Sequence, residues 1–142
     1  MTGFGKQNKS KKKRIGNKYN KLDKQEIMQQ AIKFHMQGNI KSAIKYYQYF
    51  IANGFKDYRV FSNYGVLLKN LGKLQEAENA YREALKLNPN FAYAHSNLGN
   101  ILSDSGKLKE AELSYRKTIE INPDFAEAHS NLGNILNDLG KF

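Results

Sequence analysis

The sequence predicts an all-α solenoid, a single row of antiparallel helix pairs, and three observations carry that expectation. The first is repetition. Residues 92–125, AYAHSNLGNILSDSGKLKEAELSYRKTIEINPDF, restate residues 58–91, YRVFSNYGVLLKNLGKLQEAENAYREALKLNPNF, at a period of 34 residues. The second is that each unit holds two apolar patterns of helical period separated by a short break. The third is that glycine and proline fall at fixed places in the unit, where helices would have to stop. A period of this length marks stacked supersecondary units, each too small to bury its apolar face alone.

Residues 1–21, MTGFGKQNKSKKKRIGNKYNK, stand apart from the repeat. They hold Lys6, Lys9, Lys11, Lys12, Lys13, Arg14, Lys18 and Lys21 and no acid, a local charge of +8. Too few apolar residues are present to offset the entropy of ordering them, so a disordered basic tail is expected. Such a run attracts RNA, ribosomes or an anionic membrane surface through phosphate neutralisation, or serves as a solvated leader; both readings stay open. The whole chain carries +10, but beyond the tail 15 basic residues face 13 acids. The basic character belongs to the tail.

Residues 24–57 form a divergent first unit. Ala31, Phe34, Gly38, Ile40, Ala43, Tyr47 and Ile51 keep the skeleton, and Asn53-Gly54 supplies the stop. Its outer face is rich in Lys, Gln and Met, as suits an N-terminal cap that meets water on one side. In residues 92–125 the first helix aligns Ala94, Leu98, Ile101 and Leu102 at three- and four-residue steps. The second aligns Leu108, Ala111, Tyr115 and Ile119. Gly106, like Gly72, sits where a helix end takes positive φ, and Pro123, like Pro89, cannot continue a helix. Gly99 (with Gly65 and Gly133) is expected to face Ala111 (with Ala77 and Ala43) across the pair, with Tyr47, Tyr81 and Tyr115 one turn further along.

Residues 126–142 supply one first helix and the opening Gly-Lys-Phe of a second. Leu139 and Phe142 are then left without a partner helix. Either the chain pairs with another copy through these residues, or it is a piece of a longer array.

With Leu98-Gly99, Ala111, Tyr115 and Pro123 in place, the unit resembles the tetratricopeptide repeat (TPR), whose 34-residue pattern has these residue types in this order. The family's usual Trp is replaced by His95, His129 and Phe61, and Thr118 stands where Ala84 stood one repeat earlier. The resemblance spans residues 24–142 and implies a right-handed superhelix with units 24–57, 58–91 and 92–125 and a half unit 126–142.

Composition excludes several functions. There is no cysteine, which removes disulfides, thiolate metal sites and thiol catalysis. No apolar run approaches the ~20 residues of a membrane span, and no apolar stretch of a signal peptide follows the basic start. A cytoplasmic protein is the default expectation. His95 and His129 repeat one superhelical step apart, roughly 10 Å, too far to share a metal, and are read as packed, hydrogen-bonded histidines. Glu76, Glu78, Glu110 and Glu112 open second helices, where acids favour the helix dipole. No catalytic constellation, metal site or cofactor is expected, and the chain is not read as an enzyme.

The informative residues are those that repeat without serving the core. Asn63, Asn97 and Asn131 fall at the sixth position of successive first helices, and Asn100 and Asn134 three residues later. The TPR resemblance implies that first helices line a concave wall. That wall is then Arg59, Ser62, Asn63, Val66 and Asn70; Tyr93, Ser96, Asn97, Asn100 and Asp104; Glu127, Ser130, Asn131, Asn134 and Asp138. A carboxamide offers an acceptor and two donors, so a column of asparagines suits the backbone of an extended peptide. The Ser-Asn-Leu-Gly-Asn string resembles the TPR arm of the O-linked N-acetylglucosamine transferases, where an asparagine ladder holds peptide backbone. The same side chains bonded to a neighbouring repeat or to water are the competing reading. Only Arg59 and Lys69 are available to clamp an acidic C-terminus, while acids lie at the other end, so a ligand of mixed charge is expected. The function read from the sequence is a protein-interaction scaffold. The alternative is a substrate-recruiting arm of a longer glycosyltransferase- or sulfotransferase-like protein, and a third reading is a nucleic-acid-associated protein acting through Lys6–Lys21.

Overall fold

The computed structural model describes residues 22–141, which form seven α-helices and no strand. The helices are α1 Lys24–Met36, α2 Ile40–Ala52, α3 Tyr58–Asn70, α4 Leu74–Leu87, α5 Ala92–Asp104, α6 Leu108–Ile121 and α7 Ala126–Asp138. The tail expected at residues 1–21, with its contacts to nucleic acid or anionic surfaces, lies outside the described residues, as does Phe142. None of the described helices is long and apolar enough to cross a membrane.

Local chemistry sets the helix ends. Asp23 and Glu26 form a reciprocal capping box at the start of α1, and Asn39 and Asp57 cap α2 and α3. At the end of α5 Gly106 adopts a φ of +75°. There its N–H reaches the Ser103 carbonyl at 2.9 Å and the Lys107 N–H reaches Leu102 at 2.8 Å. This pair of bonds satisfies carbonyls that the helix leaves open, and only glycine takes the conformation without strain. α4 and α6 stop at Leu87 and Ile121, two residues before Pro89 and Pro123.

Packing is densest within the pairs α1/α2, α3/α4 and α5/α6, and each second helix also leans on the first helix of the next pair. Short connections between such neighbours make them antiparallel. The thinnest of the sequential contacts is α2 on α3. The core divides along α3: Ile27, Ala31, Ala43, Tyr47 and Phe50 form one cluster with Val60 and Leu67 of α3, and Leu68 of α3 through Ile135 form the other.

Gly65 and Gly99 of the first helices lie against the repeat tyrosines. A Cβ on Gly99 would lie 2.7 Å from the Tyr115 ring, and one on Gly65 would lie 2.9 Å from the Tyr81 ring. Each glycine therefore makes room for the ring of the buried tyrosine of its own pair. Leu139, expected to be stranded, is half-buried against the core cluster of α5–α7. It lies at the end of α7 close enough to the preceding pair to be covered by it.

The acids of the second helices also do more than favour a dipole. Glu78 is 5% exposed and receives Lys107 Nζ at 3.0 Å and Arg82 Nε at 3.0 Å. One repeat later Glu112 receives Lys141 Nζ at 2.8 Å and Arg116 Nε at 2.9 Å. A lysine from each following repeat thus locks onto a glutamate of the preceding one. Burial alone would raise the Glu78 carboxyl, but the bonds from Lys107 and Arg82 outweigh it and hold the group below its ordinary value. Glu112 is held low by Lys141 and Arg116.

A carboxyl held low in the folded state stabilises above its unfolded pKa and loses that contribution as pH falls through the folded value. The contribution of the glutamate locks is therefore complete above the ordinary glutamate value of about 4.3 and is lost as the pH falls below it through the lower folded value. Glu78→Gln is expected to lower the Tm at pH 7 by roughly 3–5 °C, since its cationic partners stay hydrated. Thermal scans from pH 7 to pH 3 check this: the wild type and the variant should converge at the acid end.

Candidate functional site

The residues singled out on α3, α5 and α7 sort into two groups. Arg59, Asn70, Tyr93, Asp104, Glu127, Asn134 and Asp138 are exposed, and Asn63, Val66, Asn97, Asn100 and Asn131 are half-buried. These remain on a surface that solvent reaches. Ser62 and Ser96 do not: both are 2% exposed and belong to the packed side of their helices, which corrects their place on the wall. Ser130, on α7, is exposed.

The asparagines are not equivalent. Asn100 Oδ1 accepts from the Tyr115 hydroxyl at 2.7 Å and from Asn131 Nδ2 at 3.0 Å, and Asn100 Nδ2 donates to Glu127 at 3.1 Å. This is the cross-repeat bonding that competed with the peptide reading, and it ties α5, α6 and α7 together. Asn97 instead donates to the Tyr93 carbonyl on its own helix at 3.0 Å, which leaves its Oδ1 and second N–H toward the wall. Asn63 stands beside the Tyr47 hydroxyl. Asn63, like Asn131, faces a tyrosine hydroxyl of the preceding repeat, and Asn97 is the rung with the least cross-repeat commitment.

Sequence reasoning missed that the three repeat tyrosines support this wall from behind. The Tyr47 hydroxyl meets His35 Nδ1 at 3.0 Å and the Tyr115 hydroxyl meets Asn100. The Tyr81 hydroxyl, among the described residues, has no partner although Tyr81 is fully buried. Its repeat position opposite the wall is Val66, where the next repeat has Asn100. That substitution, visible in the alignment of the two units, is the signal that was overlooked. Burial pushes all three hydroxyls up, Tyr47 and Tyr115 to about 12. A buried donor without a partner costs about 1–3 kcal/mol. Tyr81→Phe is accordingly expected to raise stability by about 1 kcal/mol and Tyr115→Phe to lower it by a similar amount, as chemical denaturation would show.

Charge on the wall is less graded than the residue types suggested. Arg59 is bound through Nε and Nη2 to Asp57 at 3.0 and 2.7 Å, so its charge is already offset. That pairing also holds the Asp57 carboxyl low. Asp104 and Asp138 are exposed at the other end, and Glu127 is the carboxylate that Asn100 touches. The histidines at the family's Trp position bond to the loop before their helix, His95 Nε2 to the Pro89 carbonyl at 2.8 Å and His129 Nε2 to the Pro123 carbonyl at 2.6 Å.

Aromatic side chains run alongside the polar column. Tyr58 meets Phe91 edge-to-face at 5.0 Å, and Phe91 meets Tyr93 at 5.9 Å. Tyr93 keeps 46% of its surface exposed beside Asn97. A family model for the TPR repeat matches residues 65–105 and 99–140. The chain belongs to the tetratricopeptide repeat family. Solved structures share its architecture. The first TPR of Spaghetti (RPAP3), bound to the HSP90 peptide SRMEEVD, is 25% identical at a TM-score of 0.76, covering 84% of this chain and 97% of that one. MamA is 23% identical at a TM-score of 0.80, over 92% of this chain and 75% of its own. The second TPR domain of human RPAP3, in complex with the HSP70 peptide SGPTIEEVD, is 24% identical at a TM-score of 0.69, over 77% and 91%. A comparison with curated proteins finds no match.

Proposed function

We propose that this TPR chain is a protein-interaction module that holds an extended segment of another protein against the wall formed by α3, α5 and α7. Asn63 and Asn97 supply the backbone hydrogen bonds, Tyr93 and Val66 the apolar contacts, and Asn100, Asn131 and Glu127 a rigid polar floor at the far end. The observation that carries this reading is the recurrence of half-buried carboxamides on a solvent-reached face where the core does not require them. Asn70 and Asn134, exposed on the same helices, border the path. The asparagine ladder of the O-linked N-acetylglucosamine transferases is the analogy for this geometry.

The peptide carried by Spaghetti ends in acids, SRMEEVD. The wall here has its arginine paired to Asp57 and acids toward α7, so acidic-ended segments are disfavoured and a segment with a basic residue near α7 is preferred. The affinity is modest, because first helices from three repeats offer a short path and area alone does not set affinity. The test is selection from a random peptide library followed by titration of the winners. Neutral or Lys-containing sequences should dominate; winners rich in Glu would contradict the charge assignment.

A further inference from the structure

The second helices α4 and α6, with α5 between them, border a groove of about 470 Å³. Leu85 and Leu98 give it an apolar floor, and Arg82, Lys86 and Lys117 stand around it. Among the described residues that line it there is no acid. Leu113 belongs to the same lining and keeps 67% of its surface exposed. The counterpart one repeat earlier, where α4 meets α2 and α3, has the opposite sign. It is lined by Ile51, Phe61 and Tyr64 with Glu76, Asn79 and Glu83. The places of Lys86, Leu113 and Lys117 are taken in the earlier repeat by Ala52, Asn79 and Glu83. All six of these side chains are exposed or half-buried. Stacking of the repeats therefore tolerates either set and does not account for two lysines and a leucine at one groove.

The three cations are committed to different degrees. Arg82 bonds Glu78 on its own helix at 3.0 Å and Glu110 of α6 at 3.1 Å, so it ties the two walls of the groove together. Lys86 bonds Glu83 and Lys117 bonds Glu120, each only three residues away on its own helix. Exposed pairs of that kind are weak, and an ammonium group has three donors. Both lysines can therefore take a further carboxylate without giving up anything that holds the fold.

We propose that the groove between α4 and α6 is a docking site for a segment of a partner protein in which a leucine or phenylalanine is flanked by acids. The apolar side chain enters between Leu85, Leu98 and Leu113, and the flanking carboxylates pair with Lys86 and Lys117. The leucines supply the burial, and the lysines decide which segments are accepted. The groove shares no residue with the asparagine wall and does not depend on it. The two sites also differ in sign, since the wall disfavours acidic segments and the groove selects them.

The probes are synthetic peptides with a central Leu flanked on both sides by paired Glu, paired Ser or paired Lys, titrated into the intact protein up to millimolar concentration. The Glu-flanked peptide should bind about tenfold or more tightly than the Lys-flanked one. It should shift the amide signals around Leu85, Leu98 and Leu113 and leave the side-chain signals of Asn63 and Asn97 still. Leu113→Asp, and Lys86→Glu combined with Lys117→Glu, should each weaken this binding about tenfold or more. These are solvent-reached positions, and melting curves show that the variants fold. No binding of the Glu-flanked peptide, equal binding of all three peptides, or binding that survives Leu113→Asp overturns the proposal. So does equal binding of hexaglutamate or of a thymidine oligonucleotide, because the groove is then a charge patch with no apolar requirement. A dimer of the unmodified protein that Leu113→Asp disperses also overturns it, because the occupant is then a second copy. Peptides for the asparagine wall are selected on the Leu113→Asp protein, so that the two charge preferences are read separately.

Discussion

Alanine at Gly99 is expected to destabilise the protein by about 1–3 kcal/mol, while alanine at Gly133 should stabilise it by up to about 1 kcal/mol. The two glycines occupy the same place in α5 and α7, and their local sequences are nearly identical. At Gly99 the new methyl would lie 2.7 Å from the Tyr115 ring and must displace it. That ring is buried, and its hydroxyl is fixed by Asn100 at 2.7 Å, so it has no easy retreat. At Gly133 no atom of the described residues comes within 4 Å of the methyl, and the helix-propensity gain of alanine over glycine remains. Chemical denaturation of the two variants and the wild type reads the difference directly. Equal effects at the two sites would mean that the tyrosine does not rest on Gly99.

The second large effect concerns binding. Replacing Asn63, Asn97 and Asn131 together by alanine is expected to abolish capture of a selected peptide while the helical circular dichroism spectrum is retained. The individual contributions should differ. Asn97→Ala removes the rung with the least cross-repeat commitment and should weaken binding by roughly tenfold with a small change in stability. Asn63→Ala should weaken binding and also cost some stability through the Tyr47 hydroxyl. Asn131→Ala breaks the 3.0 Å bond to Asn100 that joins α7 to α5, so its cost should fall more on folding than on the ligand. Titration of each variant, paired with its melting temperature, separates the two. Survival of binding in the triple variant rules out the ladder.

Much of the fold was legible because each signal was local. A 34-residue period, glycines at the pair turns and prolines two residues beyond α4 and α6 each have one structural meaning, and they agree with one another. What was not legible depended on neighbours from another repeat. Glu78 reads as an ordinary first-turn acid until Lys107, 29 residues later, is seen to cover it. Ser62 and Ser96 read as wall residues because helical periodicity places position five at the boundary between wall and core. The structure rotates them inward. Gly99 was recognised as a packing residue, but the Tyr115 ring that lies nearest to it was not, since spacing along two helices does not say which side chain comes closest. Asn100 and Asn131 could be placed on one face, yet their bond to each other required the superhelical step to be known.

The most direct measurement is a map of amide and side-chain carboxamide shifts in labelled protein on addition of a peptide selected for binding. The account predicts that the Asn63 and Asn97 side-chain signals move most, with Tyr93 and Val66 beside them and the outer surfaces of α4 and α6 unchanged. Shifts confined to α4 and α6, with Asn63 and Asn97 still, would contradict it.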